Sequence, residues 1–428
     1  MLGTFTVENF LSFKNRIQLD FHAGTIKEMP EHVHLSIFHE DIRFLKCLGL
    51  YGRNSSGKSN VIKAFAFMRN LVINSSKESQ ASEAIPVTPF KLAKDTEKKP
   101  SVFEVTFYIQ DIKYRYGFSV TPGMIEEEWL YKTQHRKRKE ENLFLRAKKE
   151  FNLDKKFKQD SKGKIEVLLE MTRYNSLLVS VLAQFNIEIG HLITQWFTSS
   201  IVALDTEHLG LVEFSAKMLT DDLYKKSLND IIRFSDLGIE SVEERVRDLA
   251  QKTNLSLSFL NMLFQDDPKS YDVKTRHIKY NTENQATESV LFDLIENESL
   301  GTQKYFGLLG PILMALREKR ILWIDEIDAR LHPILLENII KLFNSKKYNT
   351  IGAQLIFTSH NTYLLEKKLR RDQMIFVEKD KYGVSHVESL YKKDPSVRKD
   401  ASFDKDYLSG DYVSTPPKIE TSQLNLFE

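Results

Sequence analysis

The sequence predicts an α/β protein with a mostly parallel core sheet, an antiparallel β-lobe and an inserted helical domain. Three observations lead to this fold class. A glycine-rich loop at 52–59 lies between an apolar strand and an amphipathic helix. A β-hairpin pattern covers 103–120, where apolar residues alternate along both strands. After residue 300, apolar strands alternate with helices, which is typical of βαβ units around a parallel sheet.

Composition excludes several classes of protein. The chain has 428 residues, and its net charge of +2 gives no global attraction for nucleic acid. The single cysteine, Cys47, rules out an internal disulfide framework and a multi-cysteine zinc site, and its apolar neighbours predict a core position. The N-terminus lacks the features of a signal peptide, and no apolar run approaches the roughly 18 residues that span a bilayer. We therefore expect a cytoplasmic protein with no membrane partner.

The first part of the chain, 1–164, is predicted to hold the start of the core sheet and the β-lobe. Alternating apolar residues predict strands within 4–21, and the apolar run 44–50 predicts the strand before the glycine-rich loop. A helix is expected from Gly57, because apolar residues then recur at helical spacing. Residues 75–100 are predicted to be mostly loop, followed by strands at 103–109, 112–120 and 124–131.

Three further parts are predicted beyond the first. Residues 165–290 are expected to form a mostly helical insertion. Residues 291–390 are expected to complete the core, with helices at 303–317, 333–344 and 362–370 and strands at 320–325, 354–359 and 373–378. The tail, 391–428, loses apolar periodicity and is predicted to be irregular.

The glycine-rich loop matches the phosphate-binding pattern G-x-x-x-x-G-K-[ST] in its proper context, with a strand before it and a helix after it. Glycines let backbone N–H groups point at phosphate oxygens, and the start of the helix adds its dipole. Lys58 would place its charge at the β- and γ-phosphates of ATP, and Ser59 would bind Mg²⁺. The predicted ATP-binding residues are Gly52, Arg53, Asn54, Ser55, Ser56, Gly57, Lys58, Ser59 and Asn60.

Two carboxylates follow the apolar strand at 320–325. Successive side chains on a strand point in opposite directions, so Asp325 and Glu326 are expected to take different roles. Asp325 would join Ser59 in holding Mg²⁺, and Glu326 would orient the water that attacks the γ-phosphate. His360 ends the next predicted strand, at the sheet edge where open α/β sheets bind ligands, and would reach the same phosphate. We therefore predict Glu326 and His360 as catalytic residues.

The motifs and their order resemble the ABC-type ATPase superfamily, in particular its SMC/RecF-like branch. GRNSSGKS at 52–59 is followed by SLGTQ at 299–303, ILWIDE at 321–326, Asp328 and His360. The resemblance implies that two ATPase heads close around ATP and Mg²⁺ in a homodimer or higher homo-oligomer. It also implies that Asp328 is the D-loop residue, and that a signature sequence caps the γ-phosphate bound by the other copy. The signature residues would be Ser299, Gly301, Thr302 and Gln303, with Thr302 in place of the usual second glycine.

A narrower resemblance is to ATPases of bacterial anti-phage and abortive-infection operons, akin to the ATPase half of OLD-family nucleases. It rests on NFLSFKN at 9–15, PFKL at 89–92, DEIDARLHP at 325–333 and YLSGDYVSTP at 407–416. It implies that ATP hydrolysis controls an effector from the same operon, a nuclease or a toxin. The resemblance also implies a γ-phosphate-sensing loop near 90–92 and contacts of Phe13 and Lys14 with the base or ribose.

The sequence leaves a second function open. Residues 132–164 carry thirteen Lys/Arg against five Asp/Glu, so this segment either contacts a nucleic-acid backbone or forms a solvated hairpin and loop. The first alternative would make the protein a DNA-repair or recombination ATPase. A scaffold that binds ATP without turnover is disfavoured by Glu326, and a transporter subunit is disfavoured by the long insertion.

Overall fold

The computed structural model describes residues 1–36, 38, 42–77, 83–134, 139–155, 157, 164–203, 208–248, 269–366, 368–393, 403–410 and 412. Part of the basic segment and most of the C-terminal tail lie outside these residues.

The strands, in chain order, are β1 Leu2–Glu8, β2 Ile17–Asp20, β3 Val33–Leu35, β4 Arg43–Leu45, β5 Cys47–Tyr51, β6 Ser101–Ile109, β7 Ile112–Val120, β8 Ile125–Gln134, β9 Glu141–Ala147, β10 Glu150–Leu153, β11 Ser200–Ala203, β12 Ser241–Asp248, β13 Lys269–Tyr280, β14 Ala286–Asp293, β15 Ile321–Ile324, β16 Gln354–Thr358, β17 Met374–Lys379 and β18 Ser385–Ser389. The helices are α1 Lys58–Asn74, α2 Lys164–Met171, α3 Leu178–Gln184, α4 Glu188–Thr198, α5 His208–Met218, α6 Asp222–Phe234, α7 Leu294–Asn297, α8 Leu300–Glu318, α9 Pro333–Asn344, α10 Leu390–Lys393 and α11 Phe403–Ser409. Short 3₁₀ turns occur at Pro30–His32, Thr362–Leu365 and Arg371–Gln373.

The core sheet has the strand order β11-β15-β16-β5-β17-β18. Its neighbours run parallel except β17 and β18, which confirms the predicted parallel core. Because β15, β16 and β5 are adjacent and parallel, their carboxyl ends meet at one edge of the sheet. That edge receives the glycine-rich loop, the two carboxylates and the histidine.

Both faces of the core sheet are covered. On one face Trp323 stacks on Phe65 of α1, with ring centroids 4.1 Å apart. On the other face Leu322 and Phe357 pack into a separate apolar cluster with α8 and α9. Cys47 is fully buried in this sheet, as predicted, and burial raises the pKa of its thiol. Among the described helices, none combines the length and apolar character of a membrane span.

The predicted β-lobe is a seven-stranded antiparallel sheet in the order β10-β9-β8-β7-β6-β1-β2. The hairpin of β6 and β7 turns at Gln110, whose φ of 52° is left-handed. β9 and β10 extend the sheet into the basic segment. There Arg146 is buried, lies 3.6 Å from Glu128 and donates to the carbonyl of Ser176 at 2.6 Å. This arginine therefore stabilises the fold and is not available to a ligand.

The prediction of a mostly helical stretch over 165–290 is wrong in its last part. α2 to α6 account for the helices, but β12, β13 and β14 form a three-stranded antiparallel sheet, and β11 joins the core sheet. The buried residues of β13 are Val273 and Thr275, two positions apart as a strand requires. Because one of the two is polar, apolar periodicity gave no strand signal there.

Two smaller predictions also fail. Within the described part of the helix expected at 362–370, only a 3₁₀ turn forms, at Thr362–Leu365, and the buried side chain of Arg370 bonds instead to Asp372 and to the carbonyl of Glu28. The tail is not wholly irregular, since it contains α10 and α11. In that region Phe403 and Tyr412 are buried, and the rings of Tyr407 and Tyr412 both stack on Phe376 of β17.

Candidate active site

The glycine-rich loop joins the end of β5 to the start of α1. A methyl group on Gly52 would lie 2.2 Å from the carbonyl oxygen of Val377, so only glycine fits there. Gly57 has a φ of 111°, a left-handed conformation that favours glycine. Both glycines of the pattern are therefore required by the backbone. The loop between them leaves Asn54 and Ser55 exposed and buries Ser56.

Lys58 fills the mouth of this loop. Its side chain is nearly buried, and Nζ donates to the carbonyl oxygens of Gly52 at 2.7 Å and Arg53 at 3.0 Å. Burial lowers the pKa of Lys58 to about 8, although the carboxylates of Asp328, Asp325 and Glu326 oppose this. Apart from the imidazole of His360, the ammonium group bonds to carbonyl oxygens, and a phosphate would offer it a full counter-charge.

The features of the loop fit a nucleotide. The hydroxyl of Ser56 is buried without a hydrogen-bond partner among the described residues. Ser59 lies in the first turn of α1, where a hydroxyl can reach a metal bound to phosphates. The side-chain amide of Asn60, which was also predicted to contact the nucleotide, donates to Ser12 Oγ at 2.7 Å.

The two predicted carboxylates stand at the end of β15. Asp325 is buried, and its Oδ1 accepts a hydrogen bond from Thr358 Oγ1 at 2.6 Å. The backbone N–H of Glu326 donates to the same hydroxyl at 2.7 Å. Glu326 has a left-handed φ of 48°, a strained conformation that is common at functional sites. Thr358 therefore fixes the carboxylate of Asp325 and the backbone of Glu326 together.

No cluster of three or more His, Cys, Asp or Glu residues able to hold a metal occurs within the described ranges. The predicted magnesium site, formed by Ser59 and Asp325, does not require such a cluster. Mg²⁺ keeps several waters and binds through one or two carboxylates together with substrate phosphates. The hydroxyl and carboxylate at this sheet edge are donors of that kind.

His360 connects the loop to the segment after the carboxylates. Its Nδ1 lies 3.5 Å from Lys58 Nζ, and its backbone N–H donates to Asp328 Oδ2 at 3.0 Å. Partial burial lowers the pKa of His360, and the charge of Lys58 lowers it further. A neutral imidazole at neutral pH follows from this. The structure thus brings together Lys58, His360 and Asp328, which are up to 302 positions apart in sequence.

The SLGTQ stretch begins α8. Ser299 is exposed, and its hydroxyl caps the helix by accepting from the N–H of Thr302 at 3.1 Å. Thr302 is buried, and its Oγ1 lies 3.0 Å from Ser299 Oγ. Gln303 is also buried, and its amide donates to the carbonyls of Ile295 and Glu298 at 3.0 Å each. Ser299 and the start of the helix are therefore the parts of this motif that face solvent.

The same stretch packs against the segment that follows the carboxylates. A methyl group on Gly301 would lie 2.6 Å from the carbonyl oxygen of Arg330. Lys304 is buried and donates to the carbonyl oxygen of Glu326 at 2.7 Å. The start of α8 is thereby tied to the backbone of the predicted catalytic glutamate in its own chain.

Sequence reasoning missed Thr358 and Lys304. Thr358 did carry a signal, as a polar residue that ends an apolar strand directly before His360. Lys304 carried none, because a single lysine in an apolar helix does not indicate its partner. Of the residues expected near the base or ribose, Phe13 is fully buried and so is not available for stacking. Lys14 is paired with Asp95 at 3.1 Å.

These motifs, placed at one edge of a parallel sheet with an antiparallel lobe in the same fold, define a nucleotide-binding domain of the P-loop ATPase class. The chain belongs to the family described as AAA domain, putative AbiEii toxin, Type IV TA system, whose model matches residues 47–366.

Among solved structures, the chain is similar to the SMC head domain from Thermotoga maritima, with a TM-score of 0.40 and 15% identity over 91% of this chain and 98% of that one. It is also similar to the recombination mediator protein RecF-ATP in the RecFOR pathway, with a TM-score of 0.34 and 13% identity over 91% of this chain and 97% of that one. Among curated proteins, none matches the chain significantly.

Proposed function

We propose that this protein hydrolyses ATP and acts as a switch that dimerises when it binds ATP. The observation that carries the proposal is the meeting of Lys58, His360 and the Asp325–Glu326 pair at one edge of the core sheet. These groups supply a positive charge for phosphate, a neutral imidazole and two carboxylates. Phosphoryl transfer needs mainly positioning and charge stabilisation, which such an arrangement offers.

Each group has a separate task. Lys58 exchanges its bonds to loop carbonyls for bonds to phosphate oxygens. Glu326 orients the attacking water, and Thr358 together with Lys304 holds its backbone from both sides. His360 is neutral and can accept or donate one hydrogen bond at the γ-phosphate. When bound, Mg²⁺ would neutralise charge on the phosphates, and Ser59 and Asp325 would hold it.

The exposed start of α8 supports a site that is shared between two copies. Ser299 faces solvent at a helix N-terminus, where N–H groups and the helix dipole attract anions. We assign Ser299 and Gly301 to the γ-phosphate bound by a second copy. ATP then stabilises the dimer because it binds the closed dimer more tightly than the separate subunits. Because Lys304 of α8 bonds to the carbonyl of Glu326, a contact between α8 and a second copy would also affect the position of Glu326 in the same chain.

We further propose that the switch controls an effector protein in anti-phage defence. The family description names a putative toxin of a type IV toxin–antitoxin system, which supports this setting. The partner would be a nuclease or toxin encoded beside it. Co-purification of the neighbouring gene product with and without ATP tests the assignment. A partner that binds only one nucleotide state supports it, and identical binding in both states contradicts it.

Glu326→Gln tests the catalytic assignment. The variant keeps the side-chain shape but loses the carboxylate, so ATP binding should persist while phosphate release falls by about 100-fold or more. The ATP-bound dimer should also live longer in size-exclusion experiments. Glu337→Gln is a matched control, because Glu337 of α9 pairs with Lys341 and Lys368 and is not part of the proposed site. A Glu326→Gln variant with normal turnover would show that another group orients the water.

A DNA-repair or recombination role is the second candidate, and it depends on the basic segment 132–164. Lys148 in this segment is largely exposed, whereas Arg146 is buried. Reversal of the charge at Lys148 and at 136–139 should abolish ATP-dependent DNA binding if the role is correct. DNA binding that does not depend on salt, or no DNA binding, removes this candidate.

A further inference from the structure

Two serines from opposite ends of the chain meet beside the phosphate-binding loop. Ser12 belongs to the NFLSFKN stretch near the N-terminus, and Ser385 is the first residue of β18. Both are buried, with 8% and 1% of their surface exposed. Their hydroxyl oxygens lie 2.8 Å apart, and the N–H of Ser385 donates to the carbonyl of Ser12, also at 2.8 Å. Neither serine has a role in the proposed function described above.

The hydroxyl of Ser385 also lies 2.6 Å from the carbonyl oxygen of Ser56, in the middle of the loop. That carbonyl can only accept, and a serine hydroxyl carries one hydrogen. The Ser385 hydroxyl is the donor in both contacts, so its one hydrogen bonds mainly to the carbonyl of Ser56, the shorter contact, and is shared with Ser12 Oγ at 2.8 Å. Ser12 in turn accepts from the side-chain amide of Asn60, whose nitrogen is 2.7 Å away. The result is a buried chain of hydrogen-bonded groups from Asn60 on α1 through Ser12 and Ser385 to the carbonyl of Ser56 in the loop.

This chain fixes the orientation of one peptide unit. The C=O and N–H of a trans peptide point in opposite directions. With the carbonyl of Ser56 held on Ser385, the N–H of Gly57 points to the other side of the loop, away from the packed serines. Gly57 itself is pressed against them, since a methyl group there would lie 2.4 Å from Ser385 Oγ and 2.8 Å from Ser12 Oγ. Gly57 also has a left-handed φ of 111°, so both its conformation and its close contact with the two serines require glycine.

We propose that Ser12 and Ser385 are positioning residues that aim the Gly57 N–H at the phosphates of a nucleoside di- or triphosphate. The inference rests on the proposed function, because it assigns the loop to nucleotide phosphates. It explains why the N-terminal NFLSFKN stretch and the start of β18 lie against the loop. Without the hydroxyl of Ser385, the carbonyl of Ser56 loses its donor, and the peptide is free to rotate. Both ADP and ATP would then bind less tightly, since both present a β-phosphate.

Ser385→Ala in the full-length chain tests the proposal. We expect the Kd for ADP and for ATP to rise together by about tenfold, the size of one lost hydrogen bond to a buried group. The KM for ATP should rise by a similar factor, with a much smaller change in kcat, because Ser385 touches none of the reacting atoms. Calorimetry gives the two Kd values, and phosphate release gives the kinetic constants.

Ser176→Ala is the matched control. Ser176 is buried and donates to the carbonyl of Ser75 at 2.8 Å, at the opposite end of α1. It should lower the melting temperature to a similar extent and leave nucleotide affinity unchanged. If Ser385→Ala binds ADP as tightly as the wild type, or if both variants weaken binding equally, the proposal is wrong.

Ser12→Ala provides a second measurement if Ser385→Ala does not fold. It removes the acceptor for Asn60 but leaves the bond from Ser385 to Ser56, so a Kd increase of about threefold is expected. No increase in a folded Ser12→Ala protein would also overturn the proposal. The wild type separates this inference from the proposed function. If the wild type binds neither ADP nor ATP, the proposed function is refuted. If the wild type binds both and the serine variants bind them equally tightly, only the role of the serines is refuted.

Discussion

The hydroxyl of Thr358 holds the two predicted catalytic-site carboxylate residues in place, and its removal should have a large effect. Thr358→Val keeps the shape of the side chain but removes the bond to Asp325 Oδ1 at 2.6 Å and the bond from the N–H of Glu326 at 2.7 Å. Thr358 is fully buried, so water cannot readily replace the hydroxyl. A lost donor to a carboxylate and an unsatisfied N–H together destabilise the fold by about 3 kcal/mol.

The effect on turnover should exceed the effect on binding. With Thr358→Val, the strained backbone of Glu326 loses the bond that holds its N–H, and its carboxylate moves away from the attacking water. Misplacement by about 1 Å can lower kcat by about 100-fold. The assay is phosphate release under saturating ATP and Mg²⁺, together with urea unfolding to confirm that the variant is folded.

Thr358→Ser is the matched control for this variant. It keeps the hydroxyl and loses one methyl group, which should lower stability by about 1 kcal/mol and leave kcat within a few-fold of the wild type. If Thr358→Val is folded and turns over ATP at the wild-type rate, the hydroxyl does not position Glu326. The reasoning about this sheet edge would then be refuted.

Two further predictions concern the loop. The folded protein holds the pKa of Lys58 at about 8, below its ordinary value of 10.5, because burial disfavours the charge. Without nucleotide, stability should therefore increase as pH rises from about 8 towards 10.5, and ATP affinity should fall over the same range with proton uptake on binding. Calorimetry in buffers of different ionisation enthalpy measures that uptake, and an affinity independent of pH would contradict it. Gly52→Ala should destabilise the fold by about 2–4 kcal/mol and abolish ATP binding, because its methyl group would meet the backbone of Val377 at 2.2 Å. Gly123→Ala, with nothing within 4 Å, should change stability by less than about 0.5 kcal/mol, and equal effects of the two variants in urea unfolding would contradict the steric reasoning.

The parts of the fold that sequence predicts best are those where local pattern and chemistry agree. The parallel core, the β6–β7 hairpin and the loop before α1 all combine strong periodicity with a specific turn. β12, β13 and β14 were missed because few of their described side chains are buried, and those few include the polar Thr275. The turn at 362–365 was taken for a helix because its apolar residues, Leu364 and Leu365, fit either structure.

The candidate site shows a different limit. Sequence named Lys58, Asp325, Glu326 and His360, because each belongs to a motif whose residue type and spacing reflect phosphate chemistry. The sequence does not indicate the residues that hold these four in place, because their hydrogen-bond partners lie far apart in the chain at no regular separation. Ser12 and Ser385 are 373 positions apart and meet only in the folded chain. Positioning residues of this kind require the structure.

We propose that each ATP site is completed by the start of α8 from a second copy, and a mixing experiment with two inactive variants tests this shared site. Lys58→Ala should disable the loop, and Ser299→Arg should block the start of α8 with a bulky side chain. Each variant alone should be inactive. Mixed in equal amounts, they should recover about a quarter of the wild-type rate, because half of the symmetric dimers become mixed and each of those has one intact site. Ser299→Arg that is fully active alone, or a mixture as inactive as its components although mixed dimers form, would contradict the shared site.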